Sequence, residues 1–164
     1  MSKETAYTRV LFDGDVVNAR TRDALLYAQA LWRKRMKHRK SIRLAKGSYQ
    51  QASRTSGTTH NGGGAVDVRT KGVGLTDAEI LVLSQALKDA GFAAWIRDDR
   101  DGFDPHIHAL ACSDAQMSAS AKRQVVAYDL GRNGLTSNLR DRNPYRVKPK
   151  MRFSYQQGKP VARG

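Results

Sequence analysis

Apolar residues recur along the chain with two periods, and the changes between them mark its elements. Leu25, Ala28, Trp32 and Met36 form one stripe at helical spacing, which predicts a first helix beginning near Thr21. Thr76 with Glu79 three residues later has the form of a capping box. It predicts a second helix with Ile80, Leu83 and Leu87 inward and Gly91 at its end. A third is expected from about Ser118 to Leu130, stopped by Gly131, with Val125 and Tyr128 on one face. Elsewhere the period falls to two. Ser41 to Leu44, Ala65 to Arg69, Phe92 to Arg97 and the run through His106 and His108 read as strands. The last two are joined as a hairpin by the loop from Asp98 to Pro105, with Trp95 either lining a cleft or packed beneath it. The tail from Asn143 onward is rich in Lys, Arg and Pro and has no clear period, so it is expected to be extended or partly disordered.

These elements imply an α+β fold, a small antiparallel sheet backed by about three helices. One domain is expected over residues 1–145, followed by a basic tail over 146–164. A chain of 164 residues with 40% hydrophobic content can build a core without disulfides or a structural metal. Its single cysteine, Cys112, cannot make an internal bridge. The first residues lack the apolar core of a secretion signal, and no run approaches the length of a membrane helix. Synthesis in the cytoplasm, no membrane partner and a monomeric state are therefore expected. The formal net charge of +14 attracts polyanions. Nucleic acid is one such partner, but it is not favoured, because helix-turn-helix spacing, paired-cysteine fingers and aromatic-rich single-strand motifs are all missing. The densest basic tract, Arg33 to Lys40, reads as the solvated end of a helix.

Two short runs carry the candidate chemistry. Three of the four histidines lie in His60-Asn61-Gly62-Gly63-Gly64-Ala65-Val66-Asp67 and in His106-Ile107-His108, while His38 falls in the basic tract. If Ala65 to Arg69 is a strand, Val66 and Val68 enter the core and Asp67 is a carboxylate on the open face. The same alternation puts His106 and His108 on one face with Ile107 behind them. A catalytic zinc ion takes three ligands from imidazole and carboxylate donors and leaves a fourth position for water. His60, Asp67 and His108 satisfy that count for one Zn2+ ion, and His106 is left to accept a proton or stabilise an oxyanion. Cys112 lies four residues beyond His108, roughly 13 Å along a strand, which is too far for a nucleophile–base pair.

At these residues the chain resembles the zinc D-alanyl-D-alanine carboxypeptidases and L-alanyl-D-glutamate endopeptidases, whose metal architecture is shared with lysostaphin-type peptidases. The segments Gly47 through His60, Gly62 to Asp67 and Trp95 through Gly102 to His108 are similar to the peptidase domains of phage endolysins. The resemblance spans roughly residues 7 to 145. It implies a hedgehog/DD-peptidase-like fold, with His60, Asp67 and His108 as zinc ligands and a substrate-binding polar segment upstream. Arg54 is the candidate there, because a guanidinium can fork onto a stem-peptide carboxylate. The implied activity is hydrolysis of a peptide bond in the stem or cross-bridge of bacterial peptidoglycan. The enzyme would reach the wall by lysis, through another protein's pore or in a virion, and its charge would hold it on anionic wall polymers.

One position departs from the pattern. Carboxypeptidases of this group commonly place a glutamate three residues before the final zinc histidine, and Pro105 stands there. Only Glu4 and Glu79 exist in the chain, one near the terminus and the other in a capping box. The expected base is therefore His106, with Asp104 second. Asp98, Asp99 and Asp101 read as exposed loop acids, one of which could bind the amino end of a substrate. The other readings are a zinc N-acetylmuramoyl-L-alanine amidase, and a catalytically silent phage structural or nucleic-acid-associated protein.

Overall fold

The computed structural model describes residues 3–51, 58–145, 153–156 and 159–162. The chain opens with a hairpin, β1 (Arg9–Phe12) and β2 (Asp15–Asn18), in which Phe12 faces Asp15 across a two-residue turn. Asp13 and Gly14 both have positive φ, 49° and 84°, which is the turn that an Asp-Gly pair between apolar runs favours. This hairpin was not among the elements expected from periodicity, because its strands are too short to establish one.

Asn18 ends β2 and caps α1 (Ala19–Met36), its side chain accepting from the Thr21 amide. Leu25, Ala28 and Trp32 are buried as the helical stripe predicts, and the Trp32 indole N–H donates to the Glu79 carbonyl at 3.0 Å. The next strand, β3, runs over Leu44–Lys46, a few residues later than expected, and β4 covers Ala65–Arg69. Thr76 caps α2 (Asp77–Asp89) with the full capping box, and Gly91 follows with φ 98°. Strands β5 (Phe92–Arg97) and β6 (His106–Ala111) flank the loop that contains a 3-10 turn at Asp99–Asp101. Ser118 caps α3 (Ala119–Asp129).

The central sheet has the order β3-β4-β6-β5, antiparallel throughout, with an irregularity in β3 between Leu44 and Lys46. Its side chains part cleanly by parity. Val66, Val68, Phe92, Ala94, Ile107 and Ala109 form one buried cluster with Leu25, Trp32, Leu83 and Leu87 of α1 and α2. Ala65, Ala93, Trp95 and Leu110 face the other way and pack against Met117, Ala121 and Tyr128. That second cluster corrects an expectation: α3 covers the face that carries the histidines and is not a third helix behind the sheet. An apolar stripe says that a helix must be covered, not which face of the sheet covers it.

A second hairpin, β7 (Phe153–Gln156) and β8 (Lys159–Ala162), lies beside α1, so part of the tail is regular where no element was expected. Among the described residues no helix is long and apolar enough to cross a membrane.

Candidate metal centre

Register across three strands builds the site. Asp67 of β4 faces His108 of β6, which in turn faces Trp95 of β5, and the next row along is Arg69, His106 and Arg97. All six side chains leave the sheet on the same face by the period of two. The Trp95 ring is buried and stacks on the His108 imidazole, with centroids 5.9 Å apart and planes 19° from parallel. Its indole N–H donates to the Arg132 carbonyl at 2.9 Å, so Trp95 is a floor beneath the site and not part of its wall.

His60 arrives from outside the sheet, on a 3-10 turn at Thr59–Asn61. The turn is held on both sides. Backbone bonds run from Tyr49 N to Gly62 O at 3.0 Å, from Gln50 N to His60 O at 2.8 Å and from Gly63 N to Gln116 O at 2.8 Å. From α3, Ser118 Oγ donates to Thr59 O at 3.1 Å and Gln124 Nε2 donates to Thr59 Oγ1 at 3.3 Å. Closeness at Gly62 is what permits this. A Cβ there would lie 2.2 Å from the Gln116 carbonyl oxygen and 2.7 Å from the Ser118 nitrogen, both backbone atoms. Gly62→Ala is therefore expected to destabilise the fold by about 2–3 kcal/mol through forced displacement of the α3 entry, read by urea denaturation. A stability equal to that of the parent would mean that the two segments are not in contact.

Three imidazoles converge on Asp67. Its Oδ1 lies 2.8 Å from His108 Nδ1, 3.2 Å from His60 Nε2 and 3.7 Å from His106 Nε2. The remaining nitrogen of each imidazole is engaged by an oxygen: His60 Nδ1 donates to Gly47 O at 2.9 Å, and His106 Nδ1 donates to Asp104 O at 2.7 Å. His108 Nε2 is 2.9 Å from Gln124 Oε1. A carbonyl can only accept, so Nδ1 of His60 and Nδ1 of His106 each carry the proton of that contact.

Burial pushes the His108 imidazole below its ordinary pKa, against the pull of Asp67, and so favours its neutral form. Burial acts on Asp67 in the opposite direction, but hydrogen bonds from His108 and then His60 outweigh it and hold the carboxyl below the usual carboxylate range. A neutral His108 has one proton for two acceptors, Asp67 and Gln124. A cation on the Asp67 side resolves that shortage, leaving the proton for Gln124 and the Nδ1 lone pair for the metal. The donor set fits: His60, Asp67 and His108 offer ligand atoms that all lie within 4.8 Å of one another and could hold a metal ion. His106 is outside that group, at the rim.

The three ligands and His106 line a cavity of 530 Å³ with Phe103, Asp104, Arg97 and Gln124. Asp104 is exposed, and what it supplies to His106 is its backbone carbonyl. Arg54 lies outside the described residues. The loop acids are not all free for a substrate. Asp98 pairs with Arg100 at 2.6 Å, and Asp101 pairs with Arg142 at 2.7 Å. Hydrogen bonding from Arg100 draws the Asp98 carboxyl down to about 2. Both glutamates are also committed, Glu4 to Arg22 at 2.6 Å and Glu79 to Lys40 at 2.7 Å. Cys112 is buried and its thiol is pushed up to about 12 by desolvation, which removes it as a nucleophile.

Sequence reasoning missed two residues of the site. Gln124 falls between Ala121 and Tyr128 on the buried side of α3, a polar position within an apolar stripe. Arg97 shares parity with Trp95 at the end of an otherwise apolar strand. Each was a legible irregularity. The comparisons with protein-family models, with curated proteins and with solved structures returned no match.

Proposed function

We propose that the protein is a zinc-dependent peptidoglycan peptidase, cutting a peptide bond of the stem or cross-bridge in the manner of an endolysin. The observation that carries this reading is the convergence of two imidazoles and one carboxylate on a point within a substrate-sized cavity. Two nitrogens and one oxygen suit zinc, whose catalytic sites use three such ligands. The order of His60, Asp67 and a later His-x-His, together with the antiparallel sheet that carries it, supports the resemblance to the D-Ala-D-Ala carboxypeptidase and L-Ala-D-Glu endopeptidase group. It also supports the hedgehog/DD-peptidase-like reading of the fold.

When bound, zinc supplies Lewis acidity at the scissile carbonyl and makes water acidic enough to attack near neutral pH. The chain's own residues do the rest. His106, with Nδ1 tied to the Asp104 carbonyl, directs Nε2 into the cavity, where it takes the proton of the attacking water and returns it to the departing amine. Trp95 and Gln124 fix His108 from below and from α3. Arg54 is the proposed partner of a substrate carboxylate, on the upstream segment.

Gln124→Ala is expected to lower zinc affinity about 10- to 100-fold, as loss of an outer hydrogen bond to a ligand histidine does. Competition with a chromogenic chelator measures it, and unaltered affinity would remove Gln124 from the site.

Elemental analysis of the purified protein, followed by digestion of purified peptidoglycan and mass spectrometry of the muropeptides, tests the whole reading. The expected result is about one zinc ion per chain and fragments cut within the peptide. Release of the intact stem from its sugar would assign an amidase. The +14 charge motivates the other rival, and metal-free protein that binds DNA tightly without cutting the wall would assign the silent, nucleic-acid-associated role.

A further inference from the structure

Arg97 is 3% exposed and lines the cavity, yet among the described residues its guanidinium makes no hydrogen bond and no ion pair. One face lies over the Trp95 ring, with 5.1 Å from Cζ to the centroid. That contact holds the group without using its N–H donors. The acids whose charge reaches it are engaged elsewhere: Asp101 with Arg142 at 2.7 Å, Asp141 with the Asn143 amide at 2.9 Å, and Asp67 with the imidazoles. A buried cation without acceptors is costly, and the chain keeps one where His106 faces it across the ladder and Asp67 and His108 occupy the next row.

We infer that Arg97 is an anion subsite of this cavity, built to take a carboxylate that the ligand carries close to the bond held at the metal centre. A guanidinium fork matches a carboxylate through two parallel N–H bonds, and its rigid seat on Trp95 leaves little freedom to lose on binding. Adjacent rows of the sheet are roughly 7 Å apart, the reach of about two residues of extended peptide. The subsite therefore selects peptides with a free carboxyl within about two residues of the scissile bond. It rests on the peptidase reading for the identity of the ligand, and on Arg97 alone for the preference.

The test is calorimetric titration of the zinc-loaded full chain with N-acetyl-D-alanine and with its carboxamide. The acid is expected to bind at least about tenfold more tightly. Arg97→Gln brings the ratio close to one, Arg97→Lys retains a weakened preference, and zinc content is the same in all three proteins. A ratio near one in the parent overturns the inference, as does a preference undiminished in Arg97→Gln, which would place the carboxylate on Arg54 or on the metal. Should Arg97→Gln not fold, a ratio in Arg97→Lys equal to the parent's overturns it. Wall digestion run alongside separates the two claims. Cleavage without an acid preference removes the subsite and leaves the peptidase, while an Arg97-dependent preference without cleavage does the reverse.

Discussion

Asp67→Ala is expected to lose zinc and, with it, wall cleavage. A four-ligand zinc site is worth about 10–16 kcal/mol in total, so one ligand accounts for about 2.5–4 kcal/mol, or on the order of 10²- to 10³-fold in affinity. The carboxylate contributes more than a share, because it is the only anion facing His60 Nε2 and His108 Nδ1 within hydrogen-bonding distance among the described residues. Asp67→Asn keeps the shape and removes the charge, and it should fail in the same way. Chelator competition gives the affinity. Thermal unfolding gives an independent reading, since zinc at a hundred times its dissociation constant stabilises the parent by about 2.7 kcal/mol through mass action and leaves the variants unmoved. An Asp67→Ala protein that retains both zinc and its thermal shift would mean that the metal, if any, sits elsewhere.

His106→Ala is expected to separate catalysis from metal binding. Its Nε2 is 3.7 Å from Asp67 Oδ1, farther than either ligand nitrogen, and it is not needed to complete the metal group. Cleavage should fall about 10²- to 10⁴-fold, the usual contribution of a positioned general base, while zinc content stays at the parent value. Asp104→Asn distinguishes the two candidate bases. The exposed Asp104 serves His106 through its main-chain carbonyl, which asparagine supplies equally, so activity within a few-fold of the parent is expected. Full activity in His106→Ala together with loss in Asp104→Asn would exchange their roles.

The legible parts of this protein were those governed by short-range periodicity. The alternation in Ala65 to Arg69 and in His106-Ile107-His108 correctly separated the site face from the core face, because a strand has only two sides and valine and isoleucine declare one of them. Thr76 with Glu79, and glycines after two of the helices, placed those helix ends through capping chemistry that operates within a single turn. Less legible were features that depend on partners distant in sequence. Gly47, whose carbonyl fixes the tautomer of His60, is an ordinary glycine until the two segments meet 13 residues apart. Gln124 was one polar residue in a helix until α3 was seen to lie over His108. The Asp13-Gly14 hairpin was available from its turn and was missed by attention to longer periods.

The sequence by itself determined which residues share a face, where the helices begin, and that His60, Asp67 and His108 were the metal-ligand set to test. Only the tertiary structure decided that α3 crosses to the site face, that an oxygen engages the second nitrogen of each imidazole, and that Arg97 is buried beside them with no hydrogen-bond or ion-pair partner among the described residues. The physical reason is range. Backbone periodicity and capping are set by neighbours a few residues away, whereas the protonation state of a ring and the pairing of a buried charge depend on whichever atoms the whole fold brings within about 3 Å.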